Sequence, residues 1–171
     1  MLIVTWHDRY TTVCYAVLLF GYYMWDTANS QKNRFRMMQR GTFVRRAAFP
    51  QLLWGTLGGK NNDVSAVRML RLNPLEVGGG DTSRTQQLTL LTDGWFRYMR
   101  KPHYTGDILM ALSWGMICGW RDFLPYLYLV FFTSMIAHRT VRDAHRCQLK
   151  YGVLWEKYRQ SVPYIFIPYI I

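Results

Sequence analysis

The chain has 171 residues, half of them hydrophobic and 16% aromatic, and a formal net charge of +11. That length allows one domain, or a piece of a larger one. Apolar and basic residues are segregated into blocks, as in a membrane protein with cationic loops; a stacking nucleic-acid binder needs its aromatics on an exposed basic surface, and here they sit inside the apolar runs, so no nucleic acid is expected as a partner.

Met1 to Arg9 lacks a charged leader region, and no small-residue cleavage site follows, so no signal peptide is expected. Residues 10–25, YTTVCYAVLLFGYYMW, form the first apolar run. Leu2 to Trp6 can extend it toward the roughly 20 residues of a span; the alternative is a buried core helix. Tyr22, Tyr23 and Trp25 gather at one end, as an interfacial aromatic belt does. From Asp26 to Arg46 the chain is polar and basic. Lys32 and Arg36, four apart, share a helical face, and Gly41 is placed to end that helix. An aromatic connector with Gly and Pro punctuation (49–60) leads into a loop over 59–87. That loop holds a short helical candidate, VSAVRMLRL (64–72). It also holds Gly78-Gly79-Gly80, which lacks the strand and the GK[ST] signature of a phosphate loop.

Residues 88–107, LTLLTDGWFRYMRKPHYTGD, bring the chain back to the membrane. Arg97, Arg100 and Lys101 are cationic, and Pro102 is expected to break the local helix. Two apolar runs follow, 108–120 and 123–137, split by Arg121-Asp122; they read as tilted helices or as a hairpin turning at that pair. The basic block after them places Arg139, Asp143, Cys147 and Tyr151 on one helical face. Asp143 is a lone carboxylate among guanidiniums, and it can fix those forks for a polyanion. The plain alternative is a basic helix lying on lipid headgroups. Lys150-Tyr151-Gly152 reads as a stop, followed by the aromatic run Trp155 to Tyr158 and an apolar tail with Pro163 and Pro168.

Cys14, Cys118 and Cys147 form no CxxC pair and no metal spacing, and are expected as reduced thiols. His138 and His145, seven apart on one face, have no convincing further ligands nearby, so no metal is expected. Of the 21 Lys and Arg, all but Arg9 and Arg121 lie in 26–101 or 138–171. Both segments flank even-numbered crossings, and the positive-inside rule places both in the cytosol. Lys32 and Arg36 can then face Arg139 and Asp143 across one pocket, suited to a phosphate-bearing cofactor.

Three segments, ANSQKNRFR (28–36), LLTDGWFRYMRKPHYTGDILMALSWG (90–115) and HRTVRDAHRCQLKYGVLWEKYRQSVPY (138–164), resemble the C-terminal part of the sterol reductase family of the endoplasmic reticulum. That family includes delta-14, delta-7 and delta-24(24(1)) sterol reductases and the lamin B receptor. The stretch RMMQRGTFVRRAAFPQLLWGTL (36–57) resembles the delta-24(24(1)) branch. The resemblance implies an all-α, multi-pass transmembrane helical protein of the endoplasmic reticulum membrane. Its segments would be spans at 10–25, 108–120 and 123–137, a cytosolic loop 26–101 with a divergent insertion near 59–87, and a cytosolic cofactor-binding tail 138–171. It implies NADPH-dependent reduction of the exocyclic methylene on a sterol side chain, with delta-14 or delta-7 reduction as alternatives, and sterol and membrane lipid as partners.

The resemblance also implies a cofactor pocket built from Lys32, Arg36, Leu91, Phe96, His103, Tyr104, Asp143, Cys147, Gln148, Leu149, Lys150, Tyr151 and Tyr158. Relatives commonly carry Trp where Phe96 stands and Asn where His103 stands. An isolated alkene needs a proton before or with the hydride. Tyr104 and Asp107 are the candidates for the catalytic acid by position, and Asp107 can equally cap a helix. Family members carry further transmembrane helices ahead of the first motif, so an inactive fragment or a non-catalytic membrane protein is one rival reading. An isoprenylcysteine-type methyltransferase binding S-adenosylmethionine is another; the ANSQK motif and the RD-x-x-x-C-x-x-KYG spacing speak against it.

Overall fold

The computed structural model describes residues 2–42, 69–71, 89–119 and 121–167, with residues 2–7 and 69–71 by backbone alone. The connector 49–60, the triglycine run and Pro168 lie outside the described residues, as does nearly all of the 59–87 loop.

The first apolar run and the basic run after it form one continuous helix, α1 (Leu2–Gln39). No proline interrupts it. Gly41 ends it with φ 68, a conformation that costs a residue with a Cβ, while the Thr42 N–H returns to the Met37 carbonyl at 3.1 Å. Two short strands follow, β1 (Met69–Arg71) and β2 (Thr89–Leu91), paired antiparallel with Met69 opposite Leu91. This corrects the helical reading of 64–72 at its described residues. Ladder pairing with a distant segment outweighs a local periodicity only a few residues long.

After β2, Asp93 starts a 3-10 turn (Gly94–Arg97) by accepting the Gly94 N–H at 2.9 Å. Helix α2 (Pro102–Ile117) then begins at the proline that the sequence suggested would break a helix. The first helical position has no intrahelical partner for its N–H, so a proline there loses nothing, and its fixed φ favours the start. Helix α3 (Leu124–Tyr151) joins the last apolar run to the basic block. Gly152, at φ 50, ends it with its N–H on the Gln148 carbonyl at 2.9 Å, and α4 (Val153–Ser161) follows. The regular structure among the described residues is thus helical apart from one two-stranded ribbon.

Helices α1 and α2 cross at glycines. A Cβ on Gly106 would lie 2.7 Å from the Gly21 carbonyl oxygen and 2.9 Å from the Trp25 nitrogen, both backbone atoms that cannot give way. Next to this crossing the 3-10 turn is bolted to α1. The Trp95 indole donates to Thr27 Oγ1 at 2.8 Å, and the Trp95 backbone N–H donates to Gln31 Oε1 at 3.2 Å. Thr27 in turn donates to the Tyr23 carbonyl at 2.6 Å. Gln31 is nearly fully buried, which its amide tolerates because it is bonded.

Trp155, Tyr158 and Val162 are buried together, with Leu90, Ala144, Cys147 and Tyr151 packed against them. Leu19 and Phe20 on α1, and Leu124, Val130, Phe131 and Met135 on α3, turn large apolar side chains outward. Among the described residues no helix is long and apolar enough to cross a membrane.

Candidate functional site

Three elements converge at one place: the basic end of α1, the turn 100–105 that opens α2, and the middle of α3. Along α1, Ala28, Gln31, Phe35 and Met38 are buried at helical spacing. Lys32 sits at the margin of that stripe and is half-buried. On α3, Ile136 and Thr140 are buried and Asp143, Cys147 and Tyr151 are half-buried, so these three residues of the ladder face inward, while Arg139 is exposed.

Asp143 is the hub. Its Oδ2 takes Lys101 Nζ at 3.2 Å and the Tyr104 hydroxyl at 3.4 Å. Two cations lie over the Tyr104 ring, Lys101 Nζ 5.4 Å and the Arg139 guanidinium 5.9 Å from its centroid. A cation over an aromatic face is attracted by the ring quadrupole. The His103 ring centroid is 4.3 Å from that of Tyr104.

The charges do not balance. Burial alone would push the Asp143 carboxyl up, but Lys101, the Tyr104 hydroxyl and Arg139 together hold it below the ordinary carboxylate value. Burial pushes the Lys32 ammonium down, and Arg36 and Lys101 push it further, with Asp143 and Cys147 opposing. Burial also lowers His103, to about 3, and Lys32, Lys101 and Arg139 add to the effect against Asp143. His103 is therefore neutral near pH 7. Its Nδ1 is buried without a hydrogen-bond partner among the described residues, an orphan of the kind that an absent ligand explains.

Asp107 lies inside α2 and not at its cap; the N-cap is Lys101. Burial raises the Asp107 carboxyl and Arg139 pulls it back. Burial raises the Tyr104 hydroxyl as well, with Arg139 opposing and Asp143 assisting. The Cys147 thiol is raised by burial, partly offset by Lys101.

Of the residues named from the sequence, Lys32, His103, Tyr104, Asp143 and Cys147 come together. Arg36 stands one turn beyond Lys32, exposed but within its field. Leu91 and Phe96 are buried in β2 and the 3-10 turn. Tyr158 is buried against Cys147 and Tyr151. Of the three residues between those two, Leu149 and Gln148 point elsewhere and Lys150 stays beside the ladder. Leu149 is 75% exposed, Gln148 donates to Glu156 Oε1 at 3.3 Å, and Lys150 lies over the Tyr151 ring. Lys101, which holds Asp143, was missed as a site residue; its place beside His103 and Tyr104 in the RKPHY turn was the available signal.

A phosphate-bearing group fits this arrangement. Among the described residues Asp143 is in direct ion-pair contact with Lys101, while Lys32 and Arg139 make no such contact; an anion beside a half-buried ammonium offsets its desolvation.

The sequence profile of the ergosterol biosynthesis ERG4/ERG24 family matches residues 2–171. The chain is 43% identical to a Delta(24(24(1)))-sterol reductase of Gibberella zeae over 97% of its own length and 24% of that relative. It is 40% identical to the Delta(24(24(1)))-sterol reductase erg4A of Aspergillus fumigatus over 95% of its length and 31% of that relative. It is 39% identical to the Delta(14)-sterol reductase LBR of Gallus gallus over 86% of its length and 18% of that relative. The chain therefore spans less than a third of the length of each of these proteins.

Proposed function

Because the chain belongs to the ergosterol biosynthesis ERG4/ERG24 family, we propose that it is the cofactor-holding part of a sterol reductase, one that reduces a carbon–carbon double bond with NADPH. The higher identity to two Delta(24(24(1)))-sterol reductases than to a Delta(14) enzyme favours the side-chain double bond as the target. The apolar parts of α1, α2 and α3 sit in the endoplasmic reticulum membrane in this reading, arranged as a multi-pass protein with the basic ends in the cytosol.

The observation that carries the proposal is the gathering of Lys32, Lys101 and Arg139 around the carboxylate of Asp143. Bound NADPH would supply the hydride. Lys32, Arg36 and Arg139 bind its phosphates as charge-assisted donors. Asp143 keeps Lys101 in place and accepts from Tyr104. Neutral His103 offers an uncharged hydrogen-bonding edge beside the cations, where an imidazolium would add repulsion. Trp155, Tyr158 and Val162 keep water from the underside of the site. The proton that the alkene needs is held by Tyr104, whose hydroxyl is anchored on Asp143, or by Asp107, one turn deeper toward the apolar part of α2.

Calorimetric titration of the chain in detergent with NADPH, NADH and S-adenosylmethionine tests the reading. NADPH is expected to bind preferentially, and Lys32→Ala and Asp143→Ala are each expected to weaken it about ten-fold, the worth of one charge-assisted hydrogen bond. A preference for S-adenosylmethionine sinks the proposal. Turnover by a full-length protein of a sterol with an exocyclic methylene, against one with a delta-14 bond, decides the substrate.

A further inference from the structure

The segment after α4 reads in the sequence as an apolar tail. In the structure four of its consecutive carbonyls are used by one turn. Pro163 O accepts from the Arg100 guanidinium at 2.9 Å. Tyr164 O accepts the Arg100 backbone N–H at 2.9 Å, and Ile165 O accepts the Lys101 backbone N–H at 3.0 Å. Phe166 O accepts from Thr105 Oγ1 at 2.7 Å. All four donors belong to residues 100–105, the turn that carries Lys101, His103 and Tyr104.

The turn needs outside support. Lys101 is the N-cap of α2, yet it makes no side-chain cap hydrogen bond, and its backbone (φ −132, ψ 55) is neither helical nor regular strand. Pro102 brings no N–H. The backbone donors ahead of the helix therefore have no local acceptor, and a buried donor without one is costly. The tail supplies the acceptors. It is itself anchored just before them by Val162, 2% exposed and packed with Trp155 and Tyr158.

We propose that residues 163–166 are a strap that positions Lys101 against Asp143, with Thr105 as the positioning side chain at its far end. The strap fixes the Lys101 backbone, and from there the ammonium reaches Asp143 Oδ2 at 3.2 Å. Without it the lysine swings free, Asp143 loses its main cation, and Tyr104 loses a flanking charge. The consequence for cofactor binding rests on the NADPH reading given above; the strap itself does not.

The test uses the full chain in detergent, carbon-13 labelled at aspartate, in three forms: the natural sequence, Thr105→Val and Thr105→Ser. A form ending after Val162 serves as the severe variant, and Thr105→Val decides if that form does not fold. The midpoint of the Asp143 carboxyl titration reads the position of Lys101. Hydrogen exchange at the Arg100 and Lys101 amides reads the strap. Thr105→Val is expected to move the Asp143 midpoint upward, toward the ordinary carboxylate value, and to speed exchange at both amides about five-fold, the worth of one neutral hydrogen bond. Thr105→Ser, which keeps the hydroxyl, is expected to restore both. A lower melting temperature with an unmoved Asp143 midpoint means that Thr105 is merely structural, and overturns the inference. Unchanged exchange at Arg100 and Lys101 overturns it as well. NADPH titrations on the same samples separate the two readings. If the midpoint moves while the natural sequence binds no NADPH, the strap stands and the cofactor reading falls.

Discussion

Two neighbouring regions along the α1–α2 contact are built on opposite terms. At the crossing of Gly21 and Gly106 the backbones touch, and a Cβ has no room. Beside it Trp95 donates to both Thr27 and Gln31, and Thr27 donates on to the Tyr23 carbonyl. Only one residue beyond Gln31, at Lys32, the account stops balancing: Lys32, Lys101 and Arg139 all act on the Asp143 carboxylate, and His103 Nδ1 has no partner among the described residues. A satisfied region needs nothing from outside and mainly supports the fold. An under-satisfied one, held rigidly by the first, is where a charged ligand finds its complement.

If that contrast is right, substitutions in the first region cost stability and substitutions in the second cost binding. Gly106→Leu has the largest expected effect. Its side chain must displace backbone, so the protein is expected not to fold, and even Gly106→Ala is expected to cost about 3 kcal/mol in thermal unfolding. A tolerated Gly106→Leu breaks the comparison at once.

Acid comes next. His103 has a folded-state pKa depressed to about 3, while the unfolded chain takes the proton near 6.5. The stabilising contribution is therefore fully present above pH 6.5 and is lost as pH falls from there toward 3, by up to about 1.4 kcal/mol per pH unit. The depressed Asp143 carboxyl acts in the same direction, at pH values below the ordinary carboxylate range. Melting temperature against pH checks this. His103→Asn, which cannot titrate, is expected to flatten the upper part of the curve.

Lys32→Met inverts the usual pattern. Removing a half-buried ammonium among like charges is expected to leave stability unchanged or raise it slightly, while NADPH affinity falls about ten-fold; paired unfolding and calorimetric measurements read both. A loss of stability equal to the loss of binding would place Lys32 in the scaffold. The smallest effect is expected for Trp95→Phe, which removes the indole donor from Thr27 and keeps the ring: about 1 kcal/mol in unfolding, with no change in NADPH affinity.

Much of this was legible in the sequence, for local reasons. The ladder Arg139, Asp143, Cys147 and Tyr151 is a helical period, and the helix turns its last three members inward while Arg139 stays exposed. Gly41 and Gly152 stop helices where their freedom at positive φ is used. Other features were not legible. Lys101 and Asp143 are 42 residues apart, and no periodicity links a turn to the middle of another helix. The run from Cys147 to Tyr151 read as one binding element, yet Gln148 and Leu149 turn away from it, because a helix cannot turn five consecutive side chains the same way. The strand at Met69–Arg71 and the start of α2 at Pro102 were misread because strand pairing and first-turn geometry lie outside a short window.

By itself the sequence determined the helical class, the segregation of apolar from basic blocks and the kinship to sterol reductases, because composition, period and motif order are properties of neighbours along the chain. Only the tertiary structure decided which cations share one carboxylate, that His103 stays neutral, and that the tail near Tyr164 holds the turn at Lys101. Those depend on distances between segments far apart in sequence, and on how much water the packing leaves between them.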